Sequence, residues 1–120
     1  MSFFKRFFST SSFNMEQTKH KVEGLIDQSK VVVFSKSYCP FCNATKSTLS
    51  SLGAEYTVYE LDQLVDGTEQ QDALQVLTGQ RTVPNVFIDR KHIGGNSEVQ
   101  SLLKSGELEK RLREVGALKA

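Results

Sequence analysis

Short apolar runs alternate along the chain with longer segments whose apolar residues recur every three or four positions, an arrangement typical of an α/β domain. Residues 31–35, VVVFS, form a compact β-branched run without polar alternation, which indicates a strand covered on both faces. Residues 55–61, EYTVYEL, predict a second strand. Residues 85–88 and 91–93 flank a two-residue connection, which predicts a hairpin and hence an antiparallel pair of strands.

The segments with a helical repeat predict five helices. The first is a short amphipathic helix from Gln17 to Ser29. The second begins at Pro40, because proline suits the first position of a helix, and ends at Gly53.

Capping-box spacings mark the starts of two later helices. Thr68 with Gln71 opens the third helix, and Ser97 with Gln100 opens the fourth. A fifth helix follows a break near Gly106.

The resulting order, α-β-α-β-α-β-β-α-α, predicts a three-layer α/β/α sandwich around a mixed four-stranded sheet. The first strand-helix-strand unit implies a parallel, right-handed crossover. With 120 residues, of which 38% are hydrophobic, the chain is long enough for one domain with its own core. We therefore predict a single domain over residues 16–120.

Residues 1–15 differ from the rest of the chain in composition. They contain five Phe, four Ser and two basic residues but no acidic residue, which is typical of a mitochondrial transit peptide. The spacing of Arg6, Phe8 and Ser11 also resembles that found upstream of matrix processing sites. We therefore expect a mitochondrial matrix protein, and the alternative is a disordered Phe-rich tail. A second start at Met15 would also give a cytoplasmic form.

Charge and cysteine content exclude several classes of protein. The formal net charge is +1, and basic and acidic residues are interspersed after residue 15, which argues against a nucleic-acid partner. No apolar run approaches the length needed to cross a bilayer, so we expect no membrane partner. The two cysteines are too close together for the long-range disulfide of a small secreted protein, which favours a working dithiol in a reducing compartment.

The cysteines lie three residues apart in Cys39-Pro40-Phe41-Cys42, at the start of the predicted second helix. This spacing brings the two sulfurs within disulfide reach. Unpaired N–H groups and the helix dipole favour a thiolate at Cys39, and Lys36 adds a nearby cation. Cys42 lies one turn inside the helix on its apolar stripe. We therefore predict that Cys39 is the attacking thiol and Cys42 the resolving thiol.

Half of a zinc site is the alternative interpretation of this spacing. A structural zinc ion would need two more ligands. The remaining candidates, His20 and His92, are isolated and far apart in the sequence. We therefore expect no metal.

The segment Thr82-Val83-Pro84 precedes a predicted strand. If Pro84 were cis, the backbone N–H and C=O of Val83 would be turned towards a peptide-like substrate. The residues alone favour the commoner trans form, in which the proline merely ends a helix.

The segment Gly94-Gly95-Asn96-Ser97 precedes a predicted helix. Its glycines allow a ligand to approach closely, and the helix N-terminus offers N–H groups to an anion such as a carboxylate. The same four residues also form a plain turn with an N-cap.

Together the three segments resemble the glutaredoxin family, in its dithiol class of the yeast type. The resemblance covers about residues 17–115, and its motifs are KSYCPFC from Lys36, GQRTVPN from Gly79 and HIGGNS from His92. It implies a thioredoxin-like fold and a cis Pro84. It also implies a glutathione-dependent thiol-disulfide oxidoreductase that reduces glutathionylated proteins, small mixed disulfides and some protein disulfides.

The resemblance further implies a glutathione site, in which Cys39 would form a mixed disulfide with glutathione. The residues that would contact glutathione are Lys36, Phe41, Gln80, Thr82, Val83, Pro84, Asn96 and Ser97. Lys36 and Gln80 would meet the glycyl carboxylate, while Asn96 and Ser97 would hold the γ-glutamyl carboxylate. The backbone of Val83 would pair with the cysteinyl unit of glutathione. Glutathione reductase and NADPH would regenerate the protein indirectly, and we expect a monomer.

Two residues depart from the family pattern, and two other functions share some of its features. Phe41 stands where the commonest dithiol motif has Tyr, and Asn96 replaces a Cys found in some relatives. One rival is a carrier that binds an iron–sulfur cluster between two protomers, which Pro40 disfavours because its ring stiffens the loop. The other rival is a thioredoxin, which the lack of Trp in the chain disfavours.

Overall fold

The computed structural model describes the backbone of residues 3–119 and the side chains of residues 14–119. Its elements follow the predicted order, with one added turn of 3-10 helix. They are α1 (Phe3–Asp27), β1 (Val31–Ser35), α2 (Pro40–Ser51), β2 (Thr57–Glu60), the 3-10 helix (Leu61–Gln63), α3 (Gly67–Thr78), β3 (Asn85–Ile88), β4 (Lys91–Gly94), α4 (Asn96–Ser105) and α5 (Glu107–Glu114).

The four strands form one mixed sheet in the order β2-β1-β3-β4. Strand β1 pairs in parallel with β2 and antiparallel with β3, and β3 pairs antiparallel with β4. All five residues of β1 are buried, as the uninterrupted apolar run predicted. Asp89 and Arg90 in the hairpin have φ values of 51° and 66°, as a tight two-residue connection requires. The predicted parallel crossover and hairpin are therefore confirmed.

Alternate residues of β1 and β3 point to opposite faces of the sheet and build two cores. One core packs the sheet against α2, α4 and α5, and the other packs it against α1 and α3. The first contains Val31, Val33, Leu49, Val86, Ile88, Val99, Leu108 and Leu112. The second contains Val22, Ile26, Val32, Phe34, Leu61, Ala73, Leu74 and Phe87. The predicted three layers are thus present.

Helix α1 begins at Phe3, well before the predicted start at Gln17. It is continuous because the sequence contains neither proline nor glycine between Phe3 and Glu23. Residues 1–13 make up most of the predicted targeting segment, and their side chains lie outside the described residues. The targeting role of this segment therefore stays a prediction. Within residues 3–119, none of the helices combines the length and apolarity needed to cross a membrane.

The predicted capping box at the start of α3 is wrong. The helix begins at Gly67 with Asp66 at the cap position, so Thr68 already lies inside the first turn. The Gln71 side chain does not turn back to the cap but donates a hydrogen bond to the Arg81 carbonyl (2.8 Å). A contact between distant parts of the chain has therefore replaced the local one.

The predicted capping box at the start of α4 is also wrong, because the cap lies two residues earlier. Gly95 occupies the cap position, and the Glu98 carboxylate accepts its N–H (2.7 Å). Ser97 lies inside the first turn, and Gln100 donates to the Thr48 hydroxyl of α2 instead (2.9 Å).

Candidate active site

The first cysteine lies at the junction between β1 and α2. The turn that follows β1 is closed by the N–H of Cys39, which donates to the Lys36 carbonyl (3.1 Å). Cys39 is itself the N-cap of α2, with Pro40 at the first helical position, and its Sγ accepts the Cys42 N–H (3.4 Å). The thiol therefore occupies the position where a helix stabilises negative charge.

Several groups act on the ionisation of the Cys39 thiol. Burial raises the pKa of Cys39, but hydrogen bonds from the Cys42 thiol and N–H and from the Phe41 N–H lower it, as does the charge of Lys46. These hydrogen bonds and this charge together outweigh the effect of burial, so the pKa of Cys39 lies below its ordinary value. A thiol of this kind is more ionised, and hence more nucleophilic, at neutral pH than a free cysteine.

The second cysteine has the opposite character. Cys42 is buried, and this burial raises its pKa above the ordinary value. Hydrogen bonds from the Lys36 N–H and the Ser35 side chain oppose the rise without cancelling it. The two thiols therefore differ in the direction expected from their positions in the helix.

The sequence predicted that the charge of Lys36 acts on Cys39, but in the structure it acts on Asp62. Hydrogen bonds from the Ser37 hydroxyl and N–H lower the pKa of Asp62, and the charge of Lys36 lowers it further. The cation that affects Cys39 is Lys46, whose Nζ pairs with Glu60 Oε2 (2.7 Å). Lys46 was not among the residues predicted from the sequence, although its position on α2, one turn beyond the second cysteine, could have indicated it.

The Val83–Pro84 peptide bond is cis, as the family resemblance implied and contrary to the form that the residues alone favoured. The Val83 carbonyl lies 3.9 Å from Cys39 Sγ, so this loop borders the thiol. Gln80 supports the loop, because its Nε2 donates to the carbonyls of Thr82 and Pro84 (3.0 Å each).

An open groove of about 460 Å³ begins beside the cysteine loop. Seven of the eight predicted glutathione contacts line it. They are Phe41, Gln80, Thr82, Val83, Pro84, Asn96 and Ser97. Gly95 and Glu98, which the sequence analysis did not select as contacts, also line it, whereas Lys36 does not. The groove ends at the N-terminus of α4, where the first N–H groups of the helix favour an anion.

A larger groove of about 630 Å³ lies between α1, α3 and the β3-β4 hairpin. Its lining includes His20 and His92. Size alone would select this groove. The smaller one is the candidate site because Val83, whose carbonyl lies 3.9 Å from Cys39 Sγ, is part of its lining, and because it ends at a helix N-terminus.

A family model described as glutaredoxin matches residues 31–93, which span the cysteine motif and the cis-proline loop and end one residue before the glycine segment. The chain belongs to the glutaredoxin family. It is 51% identical to a glutaredoxin of Ricinus communis over 82% of this chain and 96% of the relative. It is 49% identical to a glutaredoxin of Vernicia fordii over 83% of this chain and 96% of the relative.

The fold agrees with solved structures of the family. The crystal structure of a buckwheat glutaredoxin-glutathione complex superposes with a TM-score of 0.86, at 44% identity, and covers 88% of this chain and 96% of that chain. The predicted thioredoxin-like fold is confirmed. So are the predicted activity class, a glutathione-dependent thiol-disulfide oxidoreductase, and glutathione as co-substrate. The finer resemblance to the yeast type stays a prediction.

The contribution of Lys46 to this glutaredoxin can be measured through the pH dependence of Cys39. Lys46→Gln removes the cation and leaves Glu60 without its partner, and both changes raise the pKa of Cys39. At a pH below the thiol's midpoint, we expect alkylation by iodoacetamide to slow by about two- to fivefold, the effect of a partly exposed charge interaction.

Lys104→Gln is the matched control, because Lys104 is exposed in the last turn of α4. The control should keep the wild-type profile of alkylation rate against pH. An unshifted profile in Lys46→Gln would show that its charge does not act on the thiol.

Proposed function

We propose that this glutaredoxin reduces glutathionylated proteins and small glutathione mixed disulfides with Cys39 as the nucleophile. The observation that carries this assignment is the position of Cys39 Sγ, at the N-cap of α2 and 3.9 Å from the carbonyl of Val83, which lines the groove. The buried Cys42 has a raised pKa and is the poorer nucleophile.

The reaction consists of two thiol-disulfide exchanges. In the first, the Cys39 thiolate attacks the glutathionyl sulfur of the substrate, the substrate disulfide breaks, and the substrate thiolate leaves and takes a proton. In the second, the thiolate of a second glutathione attacks the glutathionyl sulfur bound to Cys39. Oxidised glutathione leaves, and the Cys39 thiolate is restored.

Reduction of a protein disulfide requires the second thiol. After Cys39 has formed a mixed disulfide with a protein substrate, the Cys42 thiol attacks Cys39 Sγ and releases the reduced protein. Two glutathione molecules then reduce the resulting Cys39–Cys42 disulfide. Glutathione reductase and NADPH in turn restore glutathione.

The groove provides groups for each part of glutathione. The backbone of Val83 pairs with the cysteinyl unit. The N–H groups of Asn96 and Ser97 hold the γ-glutamyl carboxylate. Gln80, whose amide also holds the cis-proline loop, serves the glycyl carboxylate together with Lys36, which lies outside the groove lining.

We further propose that the protein acts as a monomer in the mitochondrial matrix, in the cytoplasm, or in both. Residues 1–15 contain basic but no acidic residues, which supports the mitochondrial form. A second start at Met15 would provide the cytoplasmic form. Fractionation that finds a single full-length species in the cytosol only would contradict both the targeting role of residues 1–15 and the second start at Met15.

The dependence of turnover on glutathione tests the proposed activity. The protein is supplied with a glutathione mixed disulfide, glutathione, glutathione reductase and NADPH, and NADPH oxidation is followed. We expect turnover that stops when glutathione is omitted. Turnover supported instead by a thioredoxin reductase would contradict the proposal, and visible absorbance after anaerobic purification would favour the cluster carrier.

A further inference from the structure

Thr45 is a polar residue buried in the contact between α2 and α4. Its side chain is fully enclosed, and its hydroxyl donates to Asn96 Oδ1 (2.9 Å). A buried hydroxyl without a partner is costly, so this hydrogen bond ties the two side chains together. Thr45 lies one turn beyond Cys42 on the helix of the redox pair, whereas Asn96 lies at the start of α4.

A second donor reaches the same oxygen. Gln100 Nε2 donates to Asn96 Oδ1 (3.1 Å) and to the Thr48 hydroxyl on α2 (2.9 Å). Asn96 Oδ1 thus accepts two hydrogen bonds, which uses both of its lone pairs. The amide of Asn96 is therefore oriented with its oxygen towards Thr45 and Gln100.

In the described part of the chain, the hydrogen bonds of the Asn96 side chain are those of Oδ1, and none uses Nδ2. Among the described residues, the buried side-chain atoms without a partner are Glu60 Oε1 and Gln70 Oε1, so Asn96 Nδ2 is not a stranded buried donor. Asn96 lines the groove and is partly exposed there. Its Nδ2 can donate to an acceptor in the groove only while Oδ1 stays turned away.

A neutral donor is valuable at this end of the groove because a carboxylate is already present. Glu98 lines the groove and accepts the Gly95 N–H (2.7 Å). Its charge opposes a second carboxylate from a ligand, even though the helix N-terminus favours one. A further hydrogen-bond donor beside the helix N–H groups offsets part of this repulsion.

We propose that Thr45 is a positioning residue for the glutathione site: its hydroxyl holds Oδ1 of Asn96, so that Asn96 Nδ2 donates to the γ-glutamyl carboxylate of the ligand. The role deepens the proposed function and rests on it. Thr45 acts on binding of the glutathionyl group and not on the thiolate of Cys39.

The substitution Thr45→Val removes the hydroxyl and keeps the branched shape. We expect KM for a glutathione mixed disulfide to rise by about five- to tenfold, with kcat nearly unchanged, because Asn96 Nδ2 remains but is no longer held in place and part of one hydrogen bond to a charged ligand group is lost. The profile of Cys39 alkylation rate against pH should not move. Thr45→Ser keeps the hydroxyl and should restore the wild-type KM.

A double-mutant cycle separates this role from a general loss of stability. If Thr45 acts through Asn96, then Thr45→Val should raise KM little or not at all in an Asn96→Ala background. A merely structural role would lower the fraction of active protein, which titration of the reactive thiol measures, and would leave KM unchanged.

The outcomes distinguish this inference from the proposed function. A wild-type protein without glutathione-dependent turnover would overturn the proposed function. Wild-type turnover together with an unchanged KM in Thr45→Val would overturn the role of Thr45 alone. Equal KM increases from Thr45→Val in the presence and absence of the Asn96 side chain would also overturn it.

Discussion

Cys39→Ser should abolish the reduction of a glutathione mixed disulfide, with kcat/KM lower by about a thousandfold or more, whereas Cys42→Ser should keep most of the activity. Serine lacks the low pKa of the capped thiol and is not ionised at neutral pH. Cys42 takes no part in the exchange with glutathione, so its replacement leaves both steps intact. The measurement is NADPH oxidation coupled through glutathione reductase.

A protein disulfide gives the complementary result. Cys42→Ser should lose this second activity, because Cys42 must attack the mixed disulfide that Cys39 forms with the protein. The same protein preparation therefore provides its own control, active on one substrate and inactive on the other. Substantial deglutathionylation by Cys39→Ser would contradict the assignment of Cys39 as nucleophile.

Gly67→Ala should destabilise the protein by about 2–3 kcal/mol or more, because the added methyl group has no room. A Cβ atom at this position would lie 1.7 Å from the Leu61 carbonyl oxygen and 2.7 Å from its carbon. The obstacle is backbone, so a side-chain rotation cannot relieve the contact. The free energy of unfolding, measured by urea denaturation, tests the prediction.

Gly24→Ala is the matched control for this substitution. Gly24 lies in the interior of α1, and a Cβ atom there would meet nothing within 4 Å. Because alanine favours a helix over glycine, this variant should be more stable than wild type by about 0.5–1 kcal/mol. A Gly67→Ala variant as stable as wild type would show that the 3-10 helix moves freely away from α3.

This contact also matters for the site. Leu61 is buried in the core, and the next residue, Asp62, accepts two hydrogen bonds from Ser37 in the turn before Cys39. Displacement of the 3-10 helix by a methyl group at residue 67 would therefore loosen the cysteine loop. We expect Gly67→Ala to lower turnover as well as stability.

The fold could be predicted from the sequence because its main signals are local. The run Val31–Ser35 has no polar interruption, and the strand that it forms lies in the middle of the sheet, between β2 and β3. Pro40 and Gly106 mark helix boundaries through their own backbone preferences. The helix starts at residues 67 and 96 were misplaced, because contacts with distant residues overrode the capping-box spacing there.

Parts of the candidate site could not be predicted from local sequence signals. The hydrogen bonds between Ser37 and Asp62, and between Thr45 and Asn96, join residues far apart in the chain. Neither pair has a spacing that a sequence motif would show. The residues alone favoured a trans Pro84, and only the family resemblance implied the cis form. The cysteine pair itself was evident, because its chemistry depends on adjacent residues and a helix start.

The most direct test of the account is to trap the mixed disulfide. Cys42→Ser is incubated with oxidised glutathione, and its mass and peptide map are determined, with Cys39→Ser as the parallel sample. We predict one glutathionyl group on Cys39 in the first variant and little or none on the buried Cys42 in the second. A glutathionyl group on Cys42 of Cys39→Ser, with none on Cys39 of Cys42→Ser, would contradict Cys39 as the helix-capped nucleophile.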